Sequence, residues 1–218
     1  MFRAAKRGER VHPMTGEELE RGARALGRRH RAFRAILDDH GVPPMWERKA
    51  GFPTFLHIIL EQQVSLASAR AAFDRLCEAA EPLTPAAFLE FDDDALKAFG
   101  FSRQKTRYGR ELARAVASGD LEFDALAHMP DADVSRRLCS ITGIGTWTAD
   151  IYLLMVLLRP DVWPSGDLAL AVSAHGVFEL PRRPTDAELR DMSEAWRPWR
   201  AVAARLLWHK YLCDRGRS

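Results

Sequence analysis

Residues 138–150 read Leu-Cys-Ser-Ile-Thr-Gly-Ile-Gly-Thr-Trp-Thr-Ala-Asp, and this stretch carries the strongest structural signal in the chain. Apolar residues end one predicted helix, and a second helix is predicted to begin at about Thr146. Between them Gly143 and Gly145 flank Ile144, which we expect to anchor the turn in the interior. Glycine has no Cβ, so the backbone of such a turn can approach another molecule closely. The stretch therefore predicts a helical hairpin with an accessible tip.

The tip of this hairpin has the features of an anion site. The N–H groups in the first turn of a helix lack intrahelical partners and bind phosphate well. The predicted phosphate contacts are Gly143, Ile144, Gly145 and Thr146. The backbone carbonyls of Cys139, Ile141 and Ile144 are candidates to hold a monovalent cation between protein and phosphate. The alternative is an ordinary corner between two helices, because a Gly-x-Gly pattern alone is weak evidence.

The composition around the hairpin favours an all-α protein. The 218 residues include 32 Ala but only 24 of the β-branched types Ile, Val and Thr, and no alternating strand pattern stands out. The longest apolar run, residues 151–158, has eight residues, which is too short for a membrane span. Residues 1–35 carry ten basic and four acidic residues, a balance that suits a polyanionic partner. A solvated face on a surface helix is the alternative explanation.

The cysteines and histidines predict no metal enzyme. Cys77, Cys139 and Cys213 lie too far apart for a zinc or iron–sulfur spacing, and the seven histidines form no His-Glu-x-x-His motif. We therefore expect no catalytic metal and no organic cofactor. Three scattered cysteines and an N-terminus without a secretory pattern predict a protein of the reducing cytoplasm.

Helix signals divide the chain into a series of short helices. Thr15 and Glu18 form a capping box for a helix predicted to end near Gly41, and Thr54 is predicted to open another. That second helix is predicted to break around residues 64–65. Further predicted N-caps are Thr84, Ser102 and Thr185. Residues 1–13 are predicted to be a basic tail, and residues 14–218 a single domain.

Five blocks of sequence, in order along the chain, identify a family. They are Leu60–Ser65 (Leu-Glu-Gln-Gln-Val-Ser), Gly100–Lys105, the hairpin Ile141–Ala149, Asp161–Leu168 (Asp-Val-Trp-Pro-Ser-Gly-Asp-Leu) and Trp196–Arg200. Together they resemble the helix–hairpin–helix DNA glycosylases, specifically the 3-methyladenine DNA glycosylase II branch. The resemblance implies an all-α fold of two lobes with a DNA-binding cleft between them. It places the central lobe at about residues 85–165, with the hairpin at 133–158, and builds the second lobe from the N- and C-terminal helices.

The resemblance assigns the catalytic role to Asp167. In this family the catalytic aspartate follows the second hairpin helix, in the motif that reads Pro-Ser-Gly-Asp-Leu here. A fixed carboxylate stabilises the oxocarbenium character of the sugar as the base leaves, and it can orient or deprotonate water. Asp167 is also a natural N-cap for the helix that follows, which is the structural alternative. Asp161 and Asp150 are competing acids.

The aromatic residues of the resemblance describe the base pocket. Trp147 stands where bifunctional relatives carry their nucleophilic lysine, and an indole cannot form a Schiff base. This implies a monofunctional glycosylase without lyase activity. Trp147 and Trp208 are predicted to contact a cationic, alkylated base, because an indole face attracts positive charge. Tyr152 is a weaker pocket candidate, since the family's tyrosine aligns with Ile151. Core packing is the alternative for the two indole rings.

Three further residues are predicted to contact DNA. Gln63 matches the position that fills the gap left by a flipped nucleotide, with an interhelical amide as the alternative. Arg103 and Lys105 are predicted to contact backbone phosphates, although a surface pair of basic residues is equally consistent with their spacing.

These observations predict an enzyme that excises alkylated purines, chiefly 3-methyladenine and 7-methylguanine, during base excision repair. The expected partner is double-stranded DNA with damaged bases, bound by a monomer in the cytoplasm or on a bacterial nucleoid, with no membrane association. Two alternatives remain: a glycosylase for another lesion, such as hypoxanthine or an oxidised purine, and a non-catalytic hairpin protein that only binds DNA. Residues 1–50 are too short and helical for the N-terminal sheet domain of some bacterial relatives.

Overall fold

The computed structural model describes residues 12–216, which form thirteen α-helices and one 3-10 helix, with no strand in that range. The predicted all-α class is confirmed. Residues 1–11 of the predicted basic tail lie outside the described part of the chain. The helices are α1 (Gly16–Arg29), α2 (Arg31–His40), α3 (Phe52–Glu61), α4 (Leu66–Ala79), α5 (Pro85–Glu90), α6 (Asp93–Phe99), α7 (Arg103–Ala117), α8 (Phe123–Ala127), α9 (Asp131–Cys139), α10 (Thr146–Met155), α11 (Leu168–Val177), α12 (Asp186–Ser193), the 3-10 helix (Glu194–Trp196) and α13 (Arg200–Cys213).

The capping signals operate as predicted, but the first predicted helix is two helices. Thr15 and Glu18 form the reciprocal capping box of α1. At His30 the backbone is extended, with φ −134° and ψ 116°, and α2 then folds back along α1. Gly27 allows this close packing, because a Cβ at that position would lie 3.0 Å from Leu37 Cδ1. The helical periodicity continues through His30, so it did not predict the sharp turn between α1 and α2.

The start predicted for α3 is wrong by two residues. α3 begins at Phe52, with Gly51 as its N-cap at φ 138° and a proline in its first turn, whereas Thr54 lies inside the helix. Proline has a φ suited to the first turn of a helix, and glycine tolerates positive φ. The predicted break before α4 is confirmed, as are the side-chain caps at Thr84, Ser102 and Thr185.

The helices pack in two groups around one continuous core. In the first group α13 packs against α1, α2 and α11, and α12 contacts α11. In the second, or central, group α3 packs against α4, α7 and α10, α5 packs against α7, and α9 packs against α10. The central group thus includes α3 and α4, although the sequence placed its start near residue 85. Apolar side chains from both groups belong to the same buried cluster.

A buried arginine joins the two groups. Arg205 on α13 has no exposed surface, and its guanidinium donates hydrogen bonds to the carbonyls of Met45, Leu154 and Ala201. Burial lowers its pKa to about 10, so the side chain remains charged at neutral pH. Leu154 belongs to α10, so Arg205 fixes the position of α13 relative to the second hairpin helix.

None of the helices between residues 12 and 216 combines the length and apolar character that a membrane span requires.

Candidate active site and nucleic-acid interface

The hairpin forms as the sequence predicts. α9 and α10 are joined by a tight turn in which the Ile144 N–H donates to the Ile141 carbonyl at 3.1 Å. Ile144 is buried, with 4% of its surface exposed, and Gly143 adopts φ +91°. Gly145 and Thr146 are exposed at the tip. The tip is therefore anchored from inside and open on its outer face.

Tyr108 on α7 explains why position 143 is glycine. A Cβ at Gly143 would lie 2.0 Å from the Tyr108 ring, which is much closer than two carbon atoms approach. The Tyr108 hydroxyl accepts a hydrogen bond from the Gln104 amide at 2.5 Å within the same helix. The ring therefore packs directly on the backbone of the turn.

The first turn of α10 has free hydrogen-bond donors. Its N-cap Gly145 has no side chain, and no side-chain hydrogen bond caps this helix. The first N–H groups of a helix have no intrahelical acceptor and lie at the positive end of the helix dipole, and Gly145 and Thr146 are exposed at this end of α10. This arrangement can bind a phosphate oxygen.

The carbonyls proposed for a monovalent cation are partly engaged by the protein. The Ile141 carbonyl accepts the Ile144 N–H, and an oxygen keeps a second lone pair after one such bond. Over residues 12–216 no cluster of three or more His, Cys, Asp or Glu side chains is arranged to hold a metal ion. The cation at Cys139, Ile141 and Ile144 stays a prediction about backbone oxygens alone.

Asp167 receives three hydrogen bonds from three directions. It is the N-cap of α11, and its Oδ1 accepts the Leu170 N–H at 2.9 Å. Oδ1 also accepts from Trp208 Nε1 at 3.2 Å, and Oδ2 accepts from Trp147 Nε1 at 3.0 Å. The capping role is therefore observed, and the carboxylate is half-buried rather than sealed, while its catalytic role stays a prediction. Three N–H donors and a helix N-terminus stabilise negative charge at this position.

Trp147 and Trp208 meet at this carboxylate through their ring edges. The sequence predicted ring faces for a cationic base, but the structure shows indole N–H donors bound to Asp167. Trp208 is 8% exposed and contacts Trp46 edge-to-face, with ring centroids 6.4 Å apart, whereas Trp147 is half-exposed. Trp147 belongs to the first turn of α10, so the carboxylate lies beside the hairpin tip.

Tyr152 lies in the core instead of a pocket. Its ring has no exposed surface and packs against Phe55 and Phe123, with centroids 5.1 and 6.2 Å away. Burial raises the pKa of its hydroxyl. This placement does not support the pocket role expected for Tyr152. The residue continues the apolar face of α10 into the central group.

The two competing aspartates have structural partners. Asp161 accepts hydrogen bonds from the side chains of Arg197 and Arg200. Asp150 accepts the Ser165 N–H at 3.3 Å, and burial raises the pKa of its carboxyl to about 7. Asp150 therefore holds the backbone of the motif that carries Asp167. At neutral pH it is a mixture of neutral and charged forms.

The predicted DNA contacts separate into exposed and engaged residues. Gln63 is exposed in the loop between α3 and α4 and adopts φ 56°, a left-handed conformation that directs a non-glycine side chain out of the helix path. Arg103 is exposed in the first turn of α7. Lys105 is half-buried, and its ammonium donates to the Leu60 carbonyl at 2.6 Å, so its charge stabilises the end of α3. Burial lowers its pKa.

Gln62, Tyr108 and Trp46 complete this region, although sequence reasoning did not single them out. Gln62 Nε2 donates to the Gly143 carbonyl at 3.1 Å and to Thr148 Oγ1 at 2.9 Å. The sequence feature that could have indicated Gln62 is the pair of glutamines before Val64 and Ser65. Tyr108 and Trp46 carry no local signal, because their contacts come from distant parts of the chain.

The all-helical fold, the hairpin and the adjacent Asp167 carboxylate define a helix–hairpin–helix protein with an acid held beside its hairpin. Residues 56–198 match the HhH-GPD superfamily of base excision DNA repair proteins, and the chain belongs to that family.

Similar proteins support this assignment. YfjP of Bacillus subtilis, provisionally named a DNA-3-methyladenine glycosylase, is 29% identical over 80% of this chain, and the match spans 63% of that protein's own length. The crystal structure of a DNA-3-methyladenine glycosidase from Bacillus halodurans shares 27% identity, with a TM-score of 0.72 over 88% of each chain. The 3-methyladenine DNA glycosylase of Schizosaccharomyces pombe in complex with abasic DNA shares the fold. Its TM-score is 0.80 at 22% identity, over 89% of this chain and 97% of the other.

Proposed function

We propose that this protein is a monofunctional DNA glycosylase that hydrolyses the N-glycosidic bond of alkylated purines in duplex DNA. The substrates we propose are 3-methyladenine and 7-methylguanine. One observation carries the proposal: Asp167 presents a half-buried carboxylate beside the hairpin, held by a helix N-terminus and two indole N–H groups. The names of the similar glycosylases favour the alkylated-purine class.

The chemistry proposed for Asp167 follows from its surroundings. As the glycosidic bond breaks, positive charge develops on the sugar, and a preorganised anion stabilises that charge without having to reorganise. Oδ1 accepts two hydrogen bonds and Oδ2 only one, so Oδ2 keeps the larger capacity to accept from a water. A water held there is positioned for attack on C1′, and the carboxylate takes its proton.

Trp147 determines the proposed reaction type and base preference. An indole in place of a lysine cannot attack C1′ to form an imine, so the product is an intact strand with an abasic site. Alkylation at N3 or N7 makes the purine cationic and weakens its glycosidic bond. Trp147 is half-exposed, so part of its electron-rich ring remains open to such a base.

DNA binding in this proposal uses the hairpin and the loop before α4. The free N–H groups at Gly145 and Thr146 bind a backbone phosphate, and Gln63 fills the gap left by the flipped nucleotide. Arg103 adds a phosphate contact from α7. We propose that the protein acts as a monomer on cytoplasmic DNA, which in a bacterium is the nucleoid, and that catalysis needs no organic cofactor or metal.

The test is base release from a panel of matched duplexes that contain 3-methyladenine, 7-methylguanine, hypoxanthine or 8-oxoguanine. We expect release of the two cationic bases and little release of the neutral ones, because the site offers no dedicated acid to protonate a neutral leaving base. Preferential release of hypoxanthine or 8-oxoguanine would reassign the substrate. No release of any base, together with tight DNA binding, would make the protein a non-catalytic binder.

A borohydride experiment tests the reaction type separately. Borohydride reduces a Schiff base to a stable covalent adduct, so a lyase is trapped on damaged DNA and a simple hydrolase is not. We expect no adduct from the parent protein. A trapped species would show that a lysine serves as nucleophile.

A further inference from the structure

The loop between α3 and α4, residues 62–65, is tied to the hairpin through one side chain. We call these four residues the wedge loop, because they contain the exposed Gln63. Gln62 is the C-cap of α3, and its amide nitrogen donates one hydrogen bond to the Gly143 carbonyl and one to Thr148 Oγ1. An amide nitrogen has two hydrogens, so both are used.

One of these acceptors lies in the hairpin turn and the other in the helix that follows it. Gly143 belongs to the turn, and Thr148, which is 2% exposed, is the third residue of α10. Tyr108 packs on Gly143, so the turn is held between an aromatic ring and the Gln62 amide. The N–H groups of the α10 first turn remain open, while the Gly143 carbonyl points to the protein.

The backbone of the wedge loop is fixed at the same point. Gln63 adopts φ 56°, a region that residues with a Cβ rarely populate, so the surrounding contacts must impose it. Lys105 Nζ bonds the Leu60 carbonyl just before the loop, and Gln62 anchors the adjacent residue. The direction of the Gln63 side chain therefore depends on these two anchors.

We infer that Gln62 is a positioning residue that sets the wedge, Gln63, at a fixed place relative to the phosphate-binding hairpin. The inference rests on the proposed function. In the proposed complex the hairpin binds the DNA backbone. The Gln63 side chain must then enter the base stack at one defined distance from the bound phosphate. Gln62 links the two elements directly, so it acts on extrusion of the nucleotide and leaves bond cleavage to Asp167.

The test compares a paired with an unpaired target. Single-turnover release of 7-methylguanine is measured from a duplex with cytosine opposite the lesion and from one with an abasic analogue there. Gln62→Glu keeps the size of the side chain but cannot donate to either acceptor. We expect about a tenfold loss on the paired duplex and less than about a threefold loss on the unpaired one.

Two further variants bracket this result. Thr148→Val removes one acceptor at nearly constant volume and should give the same selective loss at a smaller size. Ser118→Ala removes a hydroxyl whose hydrogen bonds go to the Ala115 carbonyl and to Asp120 at the far end of α7, so its ratio between the two duplexes should remain that of the parent protein. Equal losses on both duplexes for Gln62→Glu would overturn the inference.

A measurement that does not depend on base release separates this inference from the proposed function. In an Asp167→Asn background, 2-aminopurine next to the lesion reports unstacking as a rise in fluorescence. Adding Gln62→Glu should at least halve that rise at saturating protein, and an unchanged rise would overturn the inference. If the parent protein releases no base, the proposed function fails, and the fluorescence still decides whether Gln62 places the wedge.

Discussion

Asp167 and Asp150 are both half-buried carboxylates. Asp167 belongs to residues 164–167, and Asp150 contacts the same stretch through the Ser165 N–H, yet the two side chains have opposite surroundings. Asp167 accepts three N–H donors and caps a helix, so its negative charge is stabilised. Asp150 accepts only the Ser165 N–H, and burial raises the pKa of its carboxyl to about 7. Two half-buried acids at one motif therefore differ in the donors that reach them, with three N–H groups for Asp167 and one for Asp150.

The largest effect is expected when the charge of Asp167 is removed. Asp167→Asn keeps the side-chain shape and the cap but loses the anion that we propose stabilises the sugar. We expect single-turnover base release to fall by about a thousandfold or more, with DNA affinity within about threefold of the parent. The measurements are base release and fluorescence anisotropy with labelled duplex.

Asp150→Asn is the matched control, because it keeps an oxygen acceptor for Ser165 and removes a carboxylate with no proposed role at C1′. A loss of less than about tenfold is expected. Near-normal turnover by Asp167→Asn, or a loss in Asp150→Asn as large as that in Asp167→Asn, would contradict the assignment.

The two hairpin glycines extend the comparison to the backbone. Gly143→Ala places a Cβ 2.0 Å from the Tyr108 ring at φ +91°, so we expect the free energy of unfolding to fall by roughly 2–4 kcal/mol. Gly145→Ala meets no atom within 4 Å, and stability should change by less than about 0.5 kcal/mol. Urea denaturation checks both variants.

DNA affinity then separates the two glycines by function. Gly145→Ala should weaken binding by about tenfold although the protein remains fully folded, because the proposed phosphate contact needs a close approach to the backbone there. Unchanged affinity would show that the tip does not contact the strand.

The pH dependence of stability sharpens the contrast between the two acids. The folded-state pKa of Asp150 is raised from 3.8 to about 7, so the folded protein retains a proton that the unfolded chain releases. This group therefore lowers the free energy of unfolding as pH rises from about 4 to about 7, by at most about 4 kcal/mol, and has no further effect above that. Urea denaturation at pH 5 and pH 7 should show a larger drop for the parent than for Asp150→Asn. An equal fall in the free energy of unfolding of both proteins would show that the raised pKa does not belong to Asp150.

Arg103 and Lys105 give the smallest and most selective effects. Arg103→Ala should weaken DNA binding and reduce the slope of log K against log salt by about one, as loss of one phosphate contact does. Lys105→Ala should leave that slope unchanged and lower the free energy of unfolding by about 1 kcal/mol, because its ammonium holds the Leu60 carbonyl. A reduced slope of log K against log salt in Lys105→Ala would show that Lys105 contacts a DNA phosphate.

Most local features were predictable from the sequence. The capping boxes at Thr15 and Thr185, the break before α4 and the hairpin turn all depend on residues within four positions of each other. One prediction failed because tertiary packing decided the outcome. α1 and α2 were joined because the helical period continues through His30, and only the contact of α2 with Gly27 shows why the chain turns there.

The candidate site was predictable as a set of residues but less so as a geometry. The sequence selected Asp167, Trp147 and Trp208 for one site, and the structure brings these side chains together, but the edge-on contact of both indoles with the carboxylate was not predicted. Tyr152 was a weaker candidate for the base pocket, but its ring, on the second hairpin helix, is buried in the core. Aromatic side chains have the same sequence signature whether they pack inside or face a ligand.

The sequence by itself determined the helical class, the hairpin with its two glycines, and the acid in the Pro-Ser-Gly-Asp motif, because each is encoded by neighbouring residues. The tertiary structure decided how these parts work together. Trp147, Trp208 and Gln62 reach partners 20, 41 and 81 residues away, and such contacts depend on how whole helices pack. Side-chain direction across a packed interface is set by the fold as a whole, and no local pattern specifies it.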